Sequence, residues 1–257
     1  VKKVLEMNKT TSKFGLHLNK IFLKDILKVF GGRMDMMIAG GAAIDPQILQ
    51  FFRDLGIMAL QGYGLTETAP IAALTPDFDP RVGSAGKAVY GDEIKVKNPN
   101  EKGEGELLIR GETVMLGYYE DPEATAAVME DGWFNSGDVG YMDEDGFIYI
   151  TGRSKNVIVT QNGKNIYPEE IDVYFDFLND FSSGYCTAGY QDQVTLFVSP
   201  KDYDNFQETE CFAQIRKVNA GLPMNKKVTK LYAFRDPLPR TGKGEVARFQ
   251  WPRNASE

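Results

Sequence analysis

The stretch that decides the fold runs from Met34 to Gly64 and reads MDMMIAGGAAIDPQILQFFRDLGIMALQGYG. Met34–Ala39 predicts a buried strand, and Asp45-Pro46 predicts an N-cap with proline at the first helical position. That helix is expected to run to Gly56, and Ile57–Leu60 predicts a second short strand. Strand, helix and strand with glycine-rich exits favour a parallel α/β sheet.

The chain on either side of this stretch predicts further elements. Upstream, residues 20–30 have apolar groups at helical spacing, and a Gly-Gly pair follows them. Downstream of about residue 80, Glu93–Lys97 alternates strictly and Glu106–Arg110 returns, which predicts an antiparallel region. Asp121-Pro122 predicts another capped helix, and residues 141–150 predict a hairpin around an Asp-Gly turn.

A second unit is predicted after Arg153. Its elements are a strand at 156–160, a turn at 161–163, a helix opened by Pro168, a strand at 194–198, a helix near 207–220 and a strand near 229–234. We therefore predict an α/β protein with a boundary at 154/155. The first domain is expected to be α/β to about residue 80 and antiparallel from about 80 to 154, and a small α+β domain is expected over 155–257.

Composition excludes several classes of function. The 257 residues are 42% hydrophobic and 25% charged, and 36 acidic against 29 basic residues give a net charge of −7. That balance argues against a chain that wraps nucleic acid or coats an anionic membrane. It does not argue against a small anionic ligand, which responds to local dipoles.

Residue types that often carry chemistry are scarce. Cys186 and Cys211 are the two cysteines, without a CxxC spacing, so a disulfide framework is not expected and a reducing cytoplasm is the expected location. His17 is the single histidine, which argues against a Ser-His-Asp triad or a histidine-based metal cluster. The sequence has no run of 18 apolar residues, so no membrane span is predicted.

The segment Gly62–Thr68 carries the first candidate site. Glycines on both sides of Tyr63 allow backbone to approach a flat ligand while the ring stacks on it. The hydroxyl of Thr66 and the carboxylate of Glu67 suit a phosphate oxygen and a divalent cation. The alternative is an ordinary strand-to-loop turn with a half-buried tyrosine.

Two later segments add candidate residues. Asp138, held in a Gly-Asp turn after Trp133, is placed to accept from a ribose diol; alternatively it caps a turn and Trp133 is core. Arg153 and Lys155 follow, and their alternative is solvated charge at a domain edge.

Taken in order, these segments resemble the acyl-adenylate-forming ligases, which include acyl-CoA synthetases, non-ribosomal adenylation domains and luciferases. Within that superfamily, Gly31 to Pro46 and Gly64 to Pro70 are most similar to long-chain fatty-acid–CoA ligases. The matching stretches are Ala39–Ala43, Gly62–Thr68, Leu116–Tyr119, Trp133–Asp138, Tyr149–Arg153, Asn162–Ile171 and Leu238–Thr241.

The resemblance implies a two-step reaction in which ATP and a carboxylate give acyl-AMP and coenzyme A then displaces AMP. It implies a large AMP-binding domain with a barrel-like antiparallel part, followed by a small mobile domain. It also implies the residue roles. Gly41 and Ala42 would lie against adenine and the acyl group, and Tyr63 would stack on adenine. Thr66 would touch the α-phosphate, Glu67 would hold Mg²⁺, and Asp138 and Arg153 would bind the ribose. Lys155 would be the hinge, and Gly163 would let pantetheine approach.

Two departures from the family pattern matter. The family's Ser/Thr/Gly-rich phosphate loop is not reproduced by Thr10–Gly15, so the chain is expected to be the downstream part of a ligase. The family's catalytic lysine follows a glycine near the C-terminus, but here Glu245 follows Gly244. Lys243 lies two positions earlier, and either it substitutes for that lysine or adenylation is lost.

The expected function is AMP-forming activation of a long-chain fatty acid to acyl-CoA, with ATP, Mg²⁺ and coenzyme A, by a chain that is inactive alone. The alternative is a degenerate, non-catalytic module that binds an adenylate or a partner. Small molecules are the expected partners, without nucleic acid. The expected location is the cytoplasm, and peripheral membrane contact and oligomeric state stay open.

Overall fold

The computed structural model describes residues 24–41, 44–159, 165–190, 193–241, 244 and 246–248. Within them the chain divides into two compact units, residues 1–136 with 140–150 and residues 137–139 with 151–257. The boundary at 154/155 stays a prediction. The fold is mixed α/β, as expected.

The first unit begins with the predicted helix–strand–helix–strand order. Helix α1 spans Lys24–Val29, strand β1 Met36–Ala39, helix α2 Pro46–Asp54 and strand β2 Met58–Tyr63. Strands β1 and β2 pair in parallel, as the sequence predicted.

Local chemistry explains where α2 begins. The Asp45 carboxylate accepts from the Gln47 backbone N–H over 2.8 Å, and Pro46 occupies the first turn. Such a cap satisfies a donor that the helix itself leaves free. The cap prediction is confirmed.

The prediction that β1 is buried is wrong. Met36 and Ile38 are 53% and 47% exposed in the described part of the chain, although their sequence is apolar. Among the described strands, β1 lies at one end of the order β1-β2-β3-β4 and pairs with β2.

An antiparallel region follows, and all of it except residues 137–139 and 151–153 belongs to this unit. It contains β3 Ala73–Leu74, β4 Lys87–Ala88, β5 Asp92–Lys97, β6 Gly105–Gly111, helix α3 Pro122–Val128, β7 Met129–Glu130, β8 Trp133–Met142 and β9 Ile148–Arg153. The strand order is β5-β6-β8-β7, with β9 on β8. The register Glu93↔Arg110 and the Asp121 cap, which accepts from Ala124 N–H over 2.9 Å, confirm the predicted hairpin and helix.

The second unit packs helices on a three-stranded sheet. Its elements are β10 Ile158–Val159, β11 Asn165–Ile166, α4 Pro168–Asp172, β12 Ser182–Tyr190, β13 Gln193–Pro200, α5 Glu208–Gly221 and β14 Lys230–Ala233. Sheet order is β12-β13-β14, antiparallel and then parallel. Its core includes the fully buried Ile171, Phe175 and Leu196. Strand β12 was not predicted, and the predicted turn at 161–163 lies outside the described residues.

Candidate active site

The carboxyl ends of β1 and β2 meet at one edge of the parallel pair. Ala39 is in register with Gln61, so the glycines after β1 reach the same edge as Tyr63. The backbones are close there, because a Cβ built on Gly40 would lie 3.2 Å from the Gly62 carbonyl oxygen. Gly41 has φ +85°, a conformation that favours glycine. Open α/β sheets bind ligands at this edge.

The turn after Tyr63 is rigid. Thr66–Thr68 forms one turn of 3-10 helix, and the buried Thr68 hydroxyl accepts from Leu65 N–H over 2.9 Å. Only glycine fits at position 64, because a Cβ there would lie 2.1 Å from the Pro70 carbonyl oxygen. The turn therefore presents the exposed Thr66 and the half-buried Glu67 side by side, as the sequence predicted.

Glu67 has a partner that sequence reasoning missed. The Tyr118 hydroxyl donates to Glu67 Oε1 over 2.9 Å, and Met115 N–H donates to the Glu67 carbonyl oxygen over 2.8 Å. Burial, and next the hydrogen bond to Glu67, raise the pKa of Tyr118, so its phenol stays a neutral donor. Tyr118 stands in the Leu116–Tyr119 stretch, but 51 residues separate it from Glu67, so local pattern gave no sign of the pair.

Glu67 suits Mg²⁺ only as one ligand, with the other ligands supplied by a bound nucleotide and by water. In the described residues no group of three or more His, Cys, Asp or Glu side chains is placed to hold a metal ion. Mg²⁺ in phosphoryl and nucleotidyl enzymes is commonly held by one or two carboxylates with the remaining ligands from phosphate and water. A single carboxylate beside a phosphate-binding hydroxyl fits that pattern.

Asp138 and Arg153 are paired across β8 and β9. Arg153 Nε lies 3.0 Å from Asp138 Oδ1, and the Asp138 side chain is 5% exposed against 38% for Arg153. The expectation that Asp138 sits in or caps a turn is wrong, because it lies inside a ten-residue strand. The ion pair therefore holds the buried Asp138 carboxylate in place.

The structure contradicts the non-functional alternatives predicted for Trp133 and Arg153. Trp133 is half-buried rather than core, and the Lys95 ammonium and the Arg110 guanidinium lie 4.0 and 4.4 Å from the centre of its ring. Arg153 is not simply solvated charge, since it pairs with Asp138.

Lys155 lies on a single 3-10 turn, Ser154–Asn156, and is exposed. The Ser154 hydroxyl donates to the Gly137 carbonyl oxygen over 3.2 Å and so fixes the start of that turn. Three predicted site residues, Ala42, Gly163 and Lys243, lie outside the described residues. The structure thus groups Gly41, Tyr63, Thr66 and Glu67 in the first unit, and Asp138, Arg153 and Lys155 in the second.

Comparison with known proteins bears on this geometry. Residues 7–119 match the model of the AMP-binding enzyme family. A long-chain-fatty-acid–CoA ligase of Mycobacterium bovis is 36% identical over 60% of this chain and 25% of its own length. A feruloyl-CoA synthase of an Amycolatopsis species is 33% identical over 82% of this chain and 44% of its own length.

A solved structure is also similar to this chain. The O-succinylbenzoate coenzyme A synthetase of Bacillus subtilis, in complex with AMP, superposes with a TM-score of 0.70 and 25% identity over 88% of this chain and 49% of that one. The resemblance inferred from the sequence is therefore confirmed. The chain spans about a quarter to under a half of these proteins, and their acids differ.

Proposed function

We propose that this chain takes part in the ATP-dependent, AMP-forming conversion of a long-chain fatty acid to its coenzyme A thioester. Its residues 7–119 match the AMP-binding enzyme family. The observation that carries the proposal is the rigid turn that presents Thr66 and Glu67 where the parallel strands β1 and β2 end. The long-chain assignment draws on the Gly31–Pro46 and Gly64–Pro70 stretches and on the ligase relatives.

The proposed architecture follows that of the family. Residues 1–154 would form part of a large AMP-binding domain whose antiparallel part is barrel-like, and residues 155–257 would form a small mobile domain. The chain would act in the cytoplasm.

In the first half-reaction, a carboxylate oxygen of the fatty acid attacks the α-phosphorus of ATP, and the bond to pyrophosphate breaks. The Thr66 hydroxyl is suited to donate to an α-phosphate oxygen. Mg²⁺, held by Glu67, would offset charge on the phosphates. The Tyr118 hydroxyl fixes the orientation of the Glu67 carboxylate through its 2.9 Å hydrogen bond.

Nucleoside recognition is assigned to other residues of the family pattern. The Tyr63 ring would stack on adenine, while Gly41 and Ala42 would let the chain approach the base and the acyl group. Asp138, which pairs with Arg153, would accept from the ribose hydroxyls.

In the second half-reaction, the thiol of coenzyme A attacks the acyl carbonyl carbon and AMP leaves. Lys155 is proposed as the hinge for a change of domain orientation between the halves, and Gly163 as the place where pantetheine passes. Lys243 would contact the phosphates in place of the lysine that the family pattern has at position 245. We also propose that the 257-residue chain does not complete the reaction alone, since it shows no match to the phosphate loop.

A binding measurement tests the nucleotide site directly. The purified chain is titrated calorimetrically with lauroyl-sulfamoyl-adenosine, a stable mimic of an acyl-adenylate. Tyr63→Leu should weaken binding by about tenfold, because stacking on a base contributes about 1–3 kcal/mol. Tyr119→Leu is the matched control, since Tyr119 is 89% exposed and lies beside Tyr118.

The outcomes are distinct. No binding by the unmodified chain, or equal weakening by both substitutions, would overturn the assignment of this site. Tighter binding of a feruloyl analogue than of the lauroyl one would overturn the long-chain assignment. Magnesium-dependent AMP release from ATP, fatty acid and coenzyme A would overturn the proposed inactivity of the chain.

One sequence feature favours a second candidate, a non-catalytic module that binds an adenylate or a partner. Glu245 places an acid where the family pattern has a cation. In a ligase, Glu245→Lys should tighten ATP binding relative to AMP by about three- to tenfold, because the new cation meets the extra phosphates. In the module, it should change ATP binding no more than Glu210→Lys, which changes the net charge equally.

A further inference from the structure

A half-buried polar cluster in the second unit connects two segments that are about ninety residues apart in sequence. Its central residue is Glu169, near the start of α4. Asn156 Nδ2 donates to Glu169 Oε1 over 2.6 Å, and Arg248 Nη1 lies 3.6 Å from the same oxygen. Glu169 therefore contacts both the turn of Lys155 and the end of the described C-terminal segment.

Arg248 is held by more than Glu169. Its Nε donates to the Thr187 carbonyl oxygen over 3.1 Å, and its Nη2 pairs with Asp172 Oδ2. Thr187 in turn donates to Asp172 Oδ1 from its backbone N–H, over 2.7 Å. The side chains of Arg248 and Asp172 are only 16% and 17% exposed, so this pair is screened little by solvent.

Charge makes Arg248 necessary to the cluster. Glu169 and Asp172 lie one helical turn apart on α4, and their negative charges face one guanidinium. Burial raises the pKa of Asp172, and the charge of Arg248 opposes that shift. Removing one partner from such a buried arrangement leaves uncompensated charge, which is strongly unfavourable.

Packing also fixes the Glu169 carboxylate. Its Oε2 is buried and has no hydrogen-bond partner among the described residues. A Cβ added to Gly152 would lie 2.8 Å from that oxygen and 2.9 Å from Tyr167 Cβ. Glycine at the end of β9 therefore lets the carboxylate lie against the backbone just before Arg153 and Lys155.

The segment 239–248, which Arg248 anchors, has its two described ends paired with each other. Ala247 N–H donates to the Pro239 carbonyl oxygen over 2.7 Å, and Arg240 bridges Val246 in antiparallel fashion. In sequence this segment contains Lys243 and Glu245. Arg248 is the first residue after its closing hydrogen bond.

We propose that Glu169 is a positioning residue that couples the turn of Lys155 to the paired ends of the segment 239–248, residues 239–240 and 246–248, so that the turn and these ends move as one body. The functional meaning rests on the proposed function, in which Lys155 is the hinge and the segment faces the phosphates. The coupling itself is a property of the second unit without any ligand.

Amide hydrogen exchange followed by NMR tests the coupling on the 257-residue chain without nucleotide. The reporters are Val157 N–H, which bonds to Ser154 O, and Ala247 N–H, which bonds to Pro239 O. Asn156→Ala removes one hydrogen bond from the turn. It should speed exchange by about fivefold or more at both reporters, although Asn156 is remote from residue 247 in sequence.

Three further variants test the contacts of Glu169 and Arg248. Glu169→Gln and Arg248→Met should each speed exchange at both reporters, and Arg248→Lys should restore part of the protection. Arg235→Met is the matched control, because Arg235 pairs with Asp204 at the surface. Exchange of Ile215 N–H in α5 should stay unchanged in Asn156→Ala, whereas a general loss of stability would raise it too.

The result that overturns the proposal is exchange that rises only in the substituted segment, or equally throughout the unit. If Arg248→Met unfolds the unit, Asn156→Ala decides, since it leaves every charge in place. Because no nucleotide is present, this outcome is separate from the analogue titration, and either experiment can fail while the other succeeds.

Discussion

Single residues set the tightest constraints in the first unit, where strands cross at close range. Gly86 has φ +95°, and a Cβ there would lie 1.9 Å from the Leu74 carbonyl carbon. Its N–H is taken by the Ser84 hydroxyl over 2.8 Å, and its carbonyl oxygen accepts from Ile148 N–H over 2.8 Å. Gly86 therefore joins β3, β4 and β9 at a point where no side chain fits.

Gly86→Ala is expected to lower the free energy of unfolding by about 3 kcal/mol or more. The left-handed backbone costs an alanine about 1–2 kcal/mol, and displacing packed atoms adds about 1–3 kcal/mol. Gly103→Ala shares the left-handed φ, at +80°, but has nothing within 4 Å, so it should cost about 1–2 kcal/mol. Urea denaturation of both variants measures the difference, and equal costs would contradict the close approach.

Helix α5 shows how an element's position controls the chemistry of its side chains. Cys211 and Ile215 are its buried residues, and they join the core on the three-stranded sheet. Burial, with a smaller contribution from the Glu208 charge, raises the pKa of Cys211 to about 11. The thiolate is the reactive form, so the folded helix should protect this cysteine.

Alkylation of Cys211 should therefore depend on unfolding. In a chain with Cys186→Ser, iodoacetamide at pH 8 should react with the folded protein at least about a hundredfold more slowly than with the urea-unfolded one, whose thiol has a pKa near 8.5. The folded rate should rise with pH toward 11 as the thiol ionises. Mass spectrometry follows the reaction. Complete labelling of the folded protein in the time that it takes to label the unfolded control would refute the expectation.

The whole molecule contains separate hydrophobic cores. One surrounds Leu107 and Ile109 in the first unit, and another surrounds Ile171 and Phe175 in the second. No helix in the described part of the chain has the length and apolar character needed to cross a membrane. Stability should accordingly be a property of each unit.

Calorimetry should show two unfolding transitions. Leu107→Ala and Ile171→Ala each empty a fully buried site and should cost about 2–5 kcal/mol. Each should lower the midpoint of one transition and leave the other in place. A single transition that shifts with both substitutions would show that the units unfold as one.

The sequence alone determined the features that depend on near neighbours. The caps at Asp45 and Asp121 and the Glu93–Lys97 alternation were predicted because capping and side-chain period act within a few residues. The order of these motifs along the chain sufficed to identify the resemblance. Most strands and helices could be predicted for the same reason.

Only the tertiary structure decided which distant groups meet. Strand β12 was missed because Ser182–Tyr190 has glycines and small polar residues instead of an apolar alternation, and its pairing with β13 makes it a strand. The exposure of Met36 and Ile38 depends on which elements pack over β1, which their apolar sequence does not reveal. The pairs Tyr118–Glu67, Arg153–Asp138 and Arg248–Asp172 join residues that are 51, 15 and 76 positions apart. Contacts of this kind depend on how elements pack together, which local pattern does not encode.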